Sequence, residues 1–217
     1  MKTKLLTVTA FLAALFINAA HAGPGSVSLD YSTNTFSKGS VLTDESVLTS
    51  VSYATEVEGL NVDGYFSSAN ELSDEQSVYV FSGGLSNSVG ELLDVYVGLQ
   101  HEEIIDGTSQ LDAVIKLDFN CPLSPYFLIM RETTDDNHVF EAGVSHVFSL
   151  DFADLTLLGL LGSADRYGLE DNAYHSIGAN LSKNLSDSVA ASVGYNRVNS
   201  DSMSGEDVVS AGFTFSF

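Results

Sequence analysis

Seven charged residues stand on the polar side of segments in which apolar and small polar residues alternate. Fixed carboxylates in a confined space attract cations, because little bulk water is present to screen their field. Lys116 lies two residues from Asp118 and four from Asp112. An ion network among these three is therefore expected. The set carries six acids and one base, a net charge of −5. Its members are Asp30, Asp63, Asp94, Asp112, Lys116, Asp118 and Glu141.

Histidines are the other reactive groups in the chain. His101 and His138 lie close in sequence to Glu102 and Asp136, and His–carboxylate pairs are components of hydrolytic sites. Neither a G-x-S-x-G nor an H-E-x-x-H pattern occurs, and both are signatures of hydrolases. The single cysteine, Cys121, excludes an intramolecular disulfide and a thiolate metal cluster. The sequence therefore predicts a protein that is not an enzyme and has no cofactor and no metal site.

The chain is strongly acidic. It has 29 acidic and 8 basic side chains in 217 residues, a formal charge of −21. Such a field repels phosphate backbones, so nucleic acid is excluded as a partner. Most acids stand in polar links between the alternating segments. Two interpretations of these links stay open: they attract or bind cations such as Ca²⁺ or Mg²⁺, or they are a solvated acidic surface without the D-x-D-x-D-G pattern of a calcium site.

Residues 1–22 have the organisation of a secretory signal peptide. Lys2 and Lys4 precede an apolar stretch over 5–17, and Ala20 and Ala22 form an A-x-A pattern before Gly23. The alternative is an uncleaved membrane anchor, but the apolar stretch is short for a span of about 20 residues. Cleavage is expected before Gly23. The mature domain, 23–217, would then carry 6 bases and 29 acids, a net charge of −23.

The rest of the chain repeats one pattern. Apolar and small polar residues alternate in segments of six to ten residues, which predicts β-strands. Leu48 interrupts the second segment, Val78 and Val80 blur the fourth, and the seventh and ninth are apolar on both faces. The twelve segments are 26–32, 46–53, 60–67, 78–85, 93–100, 110–119, 126–131, 140–148, 155–161, 176–182, 189–196 and 209–217.

The polar faces consist mainly of Ser, Gly, Asn and single acids, which are small enough to fit inside a closed barrel. In lipid every backbone group needs a partner, and a sheet satisfies this by closing. The sequence thus predicts an all-β fold: a closed antiparallel transmembrane β-barrel of about twelve strands, with ten as the alternative. The seven charged residues become pore-lining candidates. Longer acidic links, predicted to be extracellular, alternate with shorter periplasmic ones; the former are 33–45, 70–76, 101–109, 132–138, 164–173 and 199–207.

The last strand carries Phe213, Phe215 and Phe217, and the third of these is the carboxyl-terminal residue. This resembles the carboxyl-terminal signature of bacterial outer-membrane barrels. The resemblance implies insertion by the barrel-assembly machinery through Phe217. It also implies a place in the outer membrane of a Gram-negative envelope, in contact with lipid and lipopolysaccharide.

A second resemblance lies near the start of the mature chain. The run Phe36-Ser37-Lys38-Gly39-Ser40, a strand over 47–53 and the stretch 59–68 (GLNVDGYFSS) are similar to the opening of the TorF family of porin-like barrels. That family has Arg in the first element, where this chain has Ser37-Lys38. Val62 and Phe66 replace the family's Tyr and Trp. The match covers about 40 residues and implies a porin.

Two functions remain. One is a porin-like passive channel for small solutes, weakly cation-preferring because its lumen is acidic. The other is a closed structural or surface-interaction barrel whose acidic loops bind cations or a partner. Inward Ser and Gly favour a wet pore, whereas the two-sided seventh and ninth strands favour a filled one.

Overall fold

The computed structural model describes residues 24–73, 76–105, 107 and 109–217. The predicted signal peptide, 1–22, lies outside the described residues, as do Asp74, Glu75 and Asp106. None of the described residues forms a helix long and apolar enough to cross a membrane. The described strands are β1 Gly25–Ser32, β2 Thr35–Ser37, β3 Ser40–Thr43, β4 Ser46–Val57, β5 Leu60–Glu71, β6 Ser77–Val89, β7 Leu93–Ile104, β8 Ser109–Phe119, β9 Tyr126–Glu132, β10 His138–Ser149, β11 Asp154–Arg166, β12 Leu169–Ser186, β13 Val189–Ser200 and β14 Met203–Ser216.

Twelve of these strands close into one antiparallel barrel. Strand β1 pairs with β4 on one side and with β14 on the other, and each remaining strand pairs with its neighbours in sequence. Strands β2 and β3 form a separate hairpin between β1 and β4. The predicted all-β closed barrel and its twelve strands are confirmed, and the alternative of ten is wrong. Closure gives each of the twelve described barrel strands a hydrogen-bonded strand on both sides.

The two faces of the barrel wall follow the alternation in the sequence. Large apolar side chains such as Leu99, Ile115, Phe140, Ile177 and Phe213 are exposed on the outside. Outward apolar and inward polar positions are what a lipid-facing barrel requires. The period-two pattern therefore reports which side chains would meet lipid.

Apolar residues that break the alternation fill part of the barrel interior. Leu128 and Met130 of β9 and Leu160 of β11 belong to an internal cluster with Val114 and Tyr174. These inward side chains explain why the seventh and ninth segments of the sequence are apolar on both faces. Packed apolar side chains exclude water, so this cluster fills part of the interior beside β8–β12.

Inward tyrosines cover glycines of the barrel wall. The Tyr126 ring lies against Gly143 of the paired strand, and the Tyr174 ring lies against Gly162. A Cβ at either glycine would overlap the ring. Glycine therefore lets a large aromatic side chain lie flat on the wall instead of projecting across the lumen.

The links between strands differ from the sequence prediction in length. Predicted links 164–173 and 199–207 are tight turns at Tyr167-Gly168 and Asp201-Ser202, because β11–β14 extend through the polar residues around them. The link 120–125, predicted to be short, is one of the longer ones. Backbone pairing continues beyond the apolar belt, so polarity alone placed the strand ends too early.

Candidate functional site

The hairpin β2–β3 folds into the barrel and spans its diameter. Leu42 packs against Ala69 of β5 and Val78 of β6. Near the hairpin tip, the Gly39 carbonyl accepts a hydrogen bond from Asn172 of β12 at 3.5 Å. In the ring of twelve, β6 and β12 are six strands apart in either direction. The first link of the chain, expected to be an extracellular loop, is therefore a strap across the lumen.

The hairpin tip fits closely against the wall. Lys38 and Gly39 both have positive φ, of 50° and 81°, the conformation of a two-residue hairpin turn. A Cβ at Gly39 would lie 2.8 Å from the Tyr174 Cβ. Glycine is needed there both for its backbone conformation and for the close approach to β12.

Glu102 of β7 anchors the tip. Lys38 donates to its carboxylate at 3.0 Å, and both side chains are more than nine-tenths buried. Ser37 donates to the same carboxylate at 3.3 Å, and Tyr167 donates through its hydroxyl. Burial raises the pKa of Tyr167, and the Glu102 charge raises it further, so the phenol stays a donor. We name this group of Ser37, Lys38, Glu102 and Tyr167 the anchor.

A second buried charge cluster lies beside the anchor. Arg166 donates to Gln110 at 2.7 Å, to Glu132 at 3.3 Å and to Asp112. Asp112 and Glu132 are direct cross-strand partners on β8 and β9, and like charges at such positions repel. The guanidinium of Arg166 offsets that repulsion.

The predicted network of Lys116, Asp118 and Asp112 is only partly present. Lys116 and Asp118 are paired at 2.8 Å with both side chains about 40% exposed, whereas Asp112 belongs to Arg166. Because Asp112 is fully buried, it does not line an open lumen. Asp112 lies four residues from Lys116 along β8, and Arg166 covers its carboxylate.

The other predicted pore-lining acids remain in accessible parts of the lumen. Asp30 borders a cavity of about 290 Å³ beneath the hairpin, and Asp63 borders one of about 350 Å³ near the other end. Tyr65 lines both spaces. Asp94 accepts hydrogen bonds from Ser88 at 2.5 Å and Asn120 at 3.0 Å. The two spaces lie beside β1 and β4–β7, on the side of the lumen away from the apolar cluster of β8–β12.

Glu141 is held in the interior by two tyrosines. Tyr126 donates to one carboxylate oxygen at 2.5 Å, and Tyr174 donates to the other at 3.0 Å. Lys116 lies 5.2 Å from the centre of the Tyr126 ring. The Glu141 carboxylate therefore occupies a fixed position in the interior.

Four charged residues of the predicted loops belong to the interior, which the sequence pattern did not indicate. Lys38, Glu102, Glu132 and Arg166 were assigned to predicted extracellular links, yet all four are buried inside the barrel. The small number of bases is the sequence signal that could have identified these residues. The chain has 8 basic and 29 acidic residues, so each base has several acids with which it can form an ion pair.

Twelve antiparallel strands, an apolar exterior and a polar, charged interior define the architecture of outer-membrane β-barrels. Among solved structures, the KdgM porin in complex with disordered oligogalacturonate matches with a TM-score of 0.61 at 10% identity, over 88% of this chain and 99% of that one. The NanC porin gives 0.58 at 9% identity, over 87% and 98%. The COG4313 outer membrane channel from Pseudomonas putida F1 gives 0.56 at 8%, over 90% and 96%.

The likeness to these structures extends over nearly the whole barrel and shows the fold. Neither a protein-family model nor a curated protein matches the sequence. The resemblance to the TorF family is thus not confirmed.

Proposed function

We propose that the chain is a porin-like passive channel of the outer membrane for small solutes, with a weak preference for cations and a bore narrowed by the hairpin. The observation that carries this proposal is the pair of spaces on one side of the lumen, one bordered by Asp30 and the other by Asp63. Lipid and lipopolysaccharide surround the barrel in this proposal, and Phe217 is its signal for the barrel-assembly machinery.

The preference for cations rests on acids that have no basic partner. The seven ion pairs among the described residues include none of Asp30, Asp63, Asp94 and Glu141. The buried bases Lys38 and Arg166 are neutralised by their own carboxylates, so the accessible field is negative. A negative lumen raises the local concentration of cations.

The same field bears on the class of solute. The solved KdgM complex contains oligogalacturonate, a chain of acidic sugars. An acid-lined lumen repels such polyanions, because an anion-selective pore needs Arg or Lys along its wall. We therefore propose cationic or neutral small solutes for this chain.

Replacing the three accessible acids by amides is expected to remove the cation preference. In a planar bilayer with a KCl gradient, the refolded mature chain should give discrete conductance steps and a cation-selective reversal potential. In the triple variant Asp30→Asn/Asp63→Asn/Asp94→Asn the reversal potential should move toward zero, because the fixed charge beside the path is gone.

A matched control removes three exposed charges outside the lumen. Glu91→Gln/Asp135→Asn/Asp187→Asn changes the net charge equally, and its reversal potential should stay as in the unmodified chain. An anion-selective wild type, or an equal shift in both triple variants, would contradict the assignment of selectivity to the lumen.

A closed structural or surface-interaction barrel is the second candidate. The hairpin across the diameter and the apolar cluster beside β8–β12 favour it, since both fill the lumen. The same bilayer recording separates the two functions. A correctly folded barrel that produces no conductance steps supports the closed barrel.

A further inference from the structure

Three potential metal ligands meet at the end of the barrel where the β11–β12 turn lies. His138 is the first residue of β10, and Asp165 and Asp171 stand on either side of the β11–β12 turn. The His138 ring nitrogen and one carboxylate oxygen from each aspartate all lie within 4.8 Å of one another. Because β10, β11 and β12 are neighbours in the barrel, the fold brings together donors that the sequence separates.

Two of the three donors are already oriented. His138 Nδ1 lies 2.7 Å from an Asp165 oxygen, and the imidazole packs edge-on against Phe140 with ring centres 4.9 Å apart. The backbone N–H of Asp171 donates to the other Asp165 oxygen at 2.6 Å. This bond fixes the Asp165 carboxylate so that its second oxygen faces the imidazole, as the supporting contacts of metal ligands do.

The charges near the group favour a cation. Of the bases on the neighbouring strands, Arg131 pairs with Asp136 at 2.8 Å, and Arg166 is directed inward to Asp112 and Glu132. Neither forms an ion pair with Asp165 or Asp171 in the described part of the chain. The Asp171 carboxylate is exposed, so it can rotate toward an arriving ion at little cost.

We propose that His138, Asp165 and Asp171 bind a divalent transition-metal ion of the Zn²⁺ class. Imidazole nitrogen suits Zn²⁺, Cu²⁺ and Ni²⁺, whereas Ca²⁺ and Mg²⁺ take oxygen ligands. Zn²⁺ holds nitrogen and oxygen at about 2.0–2.2 Å, so rotation of the Asp171 side chain must bring the widest pair closer. Water completes the coordination, and the ion replaces the hydrogen bond between His138 and Asp165.

Isothermal titration of the untagged, refolded mature chain with ZnCl₂ in detergent tests the site. One Zn²⁺ per chain is expected, and binding in His138→Ala, Asp165→Asn and Asp171→Asn should each weaken at least about tenfold, as loss of a ligand or its support does. Zn²⁺ should also raise the unfolding temperature of the unmodified chain alone, since an ion that binds only the folded state stabilises it.

Matched controls separate this site from other surface groups. His175→Ala removes an exposed histidine and Asp135→Asn an exposed loop acid, and both should bind Zn²⁺ as the unmodified chain does. A folded band on an unheated gel confirms that each variant is correctly assembled. Absence of Zn²⁺ binding, equal binding by His138→Ala, or equal affinity for Mg²⁺ would overturn the proposal. None of these readouts depends on conductance. A negative result for the metal site would therefore not contradict the proposed channel, and a barrel that does not conduct would not contradict the metal site.

Discussion

Replacing Lys38 by methionine is expected to release the hairpin from the lumen and to raise the conductance of the barrel several-fold. The substitution leaves the buried Glu102 carboxylate without its cation. Loss of one partner of a buried ion pair costs about 3–5 kcal/mol. Each 1.4 kcal/mol changes an equilibrium about tenfold, so the seated hairpin should lose most of its advantage over the displaced one.

Single-channel recording measures the conductance, and thiol labelling measures the hairpin position. In a Cys121→Ser background, Leu42→Cys places a thiol on a buried hairpin residue. A membrane-impermeant maleimide should label it slowly in the otherwise unmodified chain and quickly when Lys38→Met is added.

Two controls isolate the ion pair. Lys183→Met removes an exposed lysine and should leave both readouts unchanged. The exchange Lys38→Glu/Glu102→Lys keeps opposite charges in contact and should restore part of the protection of Leu42→Cys. If Lys38→Met conducts as the unmodified chain does and its Leu42→Cys thiol stays protected, the hairpin is not held by this pair.

Arg166→Met is expected to cause the largest loss of stability. It would leave Asp112 and Glu132 as cross-strand carboxylates, both buried, with no guanidinium between them. A buried charge that loses its partner costs about 3–5 kcal/mol. Urea titration of the barrel in lipid vesicles, followed by the folded band on unheated gels, should show a much lower midpoint or no folded band.

The matched control is Arg131→Met, because the pair of Arg131 with Asp136 is solvent-exposed on both sides. Surface pairs contribute about 0–1 kcal/mol, so this midpoint should barely change. The variant Arg166→Met/Asp112→Asn/Glu132→Gln should recover much of the lost stability, since no buried charge then remains. Equal midpoints for Arg166→Met and Arg131→Met would show that the buried cluster contributes no more than a surface pair.

The barrel could be predicted from the sequence because each residue that faces lipid must be apolar, whatever its neighbours are. Strand by strand, the period of two identifies the outer face, and residues such as Leu99 and Ile115 are exposed as expected. The apparent irregularities had a common cause. Leu48 and Val78, which blurred two segments, are inward residues that pack with Leu42 of the hairpin.

The anchor could not be predicted from the alternation of apolar and polar residues. Lys38 and Glu102 are 64 residues apart, and no local pattern relates a hairpin tip to an acid at the end of a distant strand. The polar surroundings of Glu102 and Arg166 are equally suitable for a solvent-exposed loop. Only the closed ring places their side chains inside, so their burial follows from tertiary structure and not from sequence pattern.

The hairpin also implies an order of assembly. It lies between the first two strands of the barrel, but its tip contacts Asn172, 133 residues further along the chain than Gly39. The contact site of the hairpin tip on the barrel wall therefore does not exist until β12 has taken its place opposite β6. The hairpin, which precedes eleven of the twelve barrel strands in the sequence, is consequently among the last segments to reach its native position. Docking of the hairpin tip therefore requires that the strands from β4 to β12 are already in place.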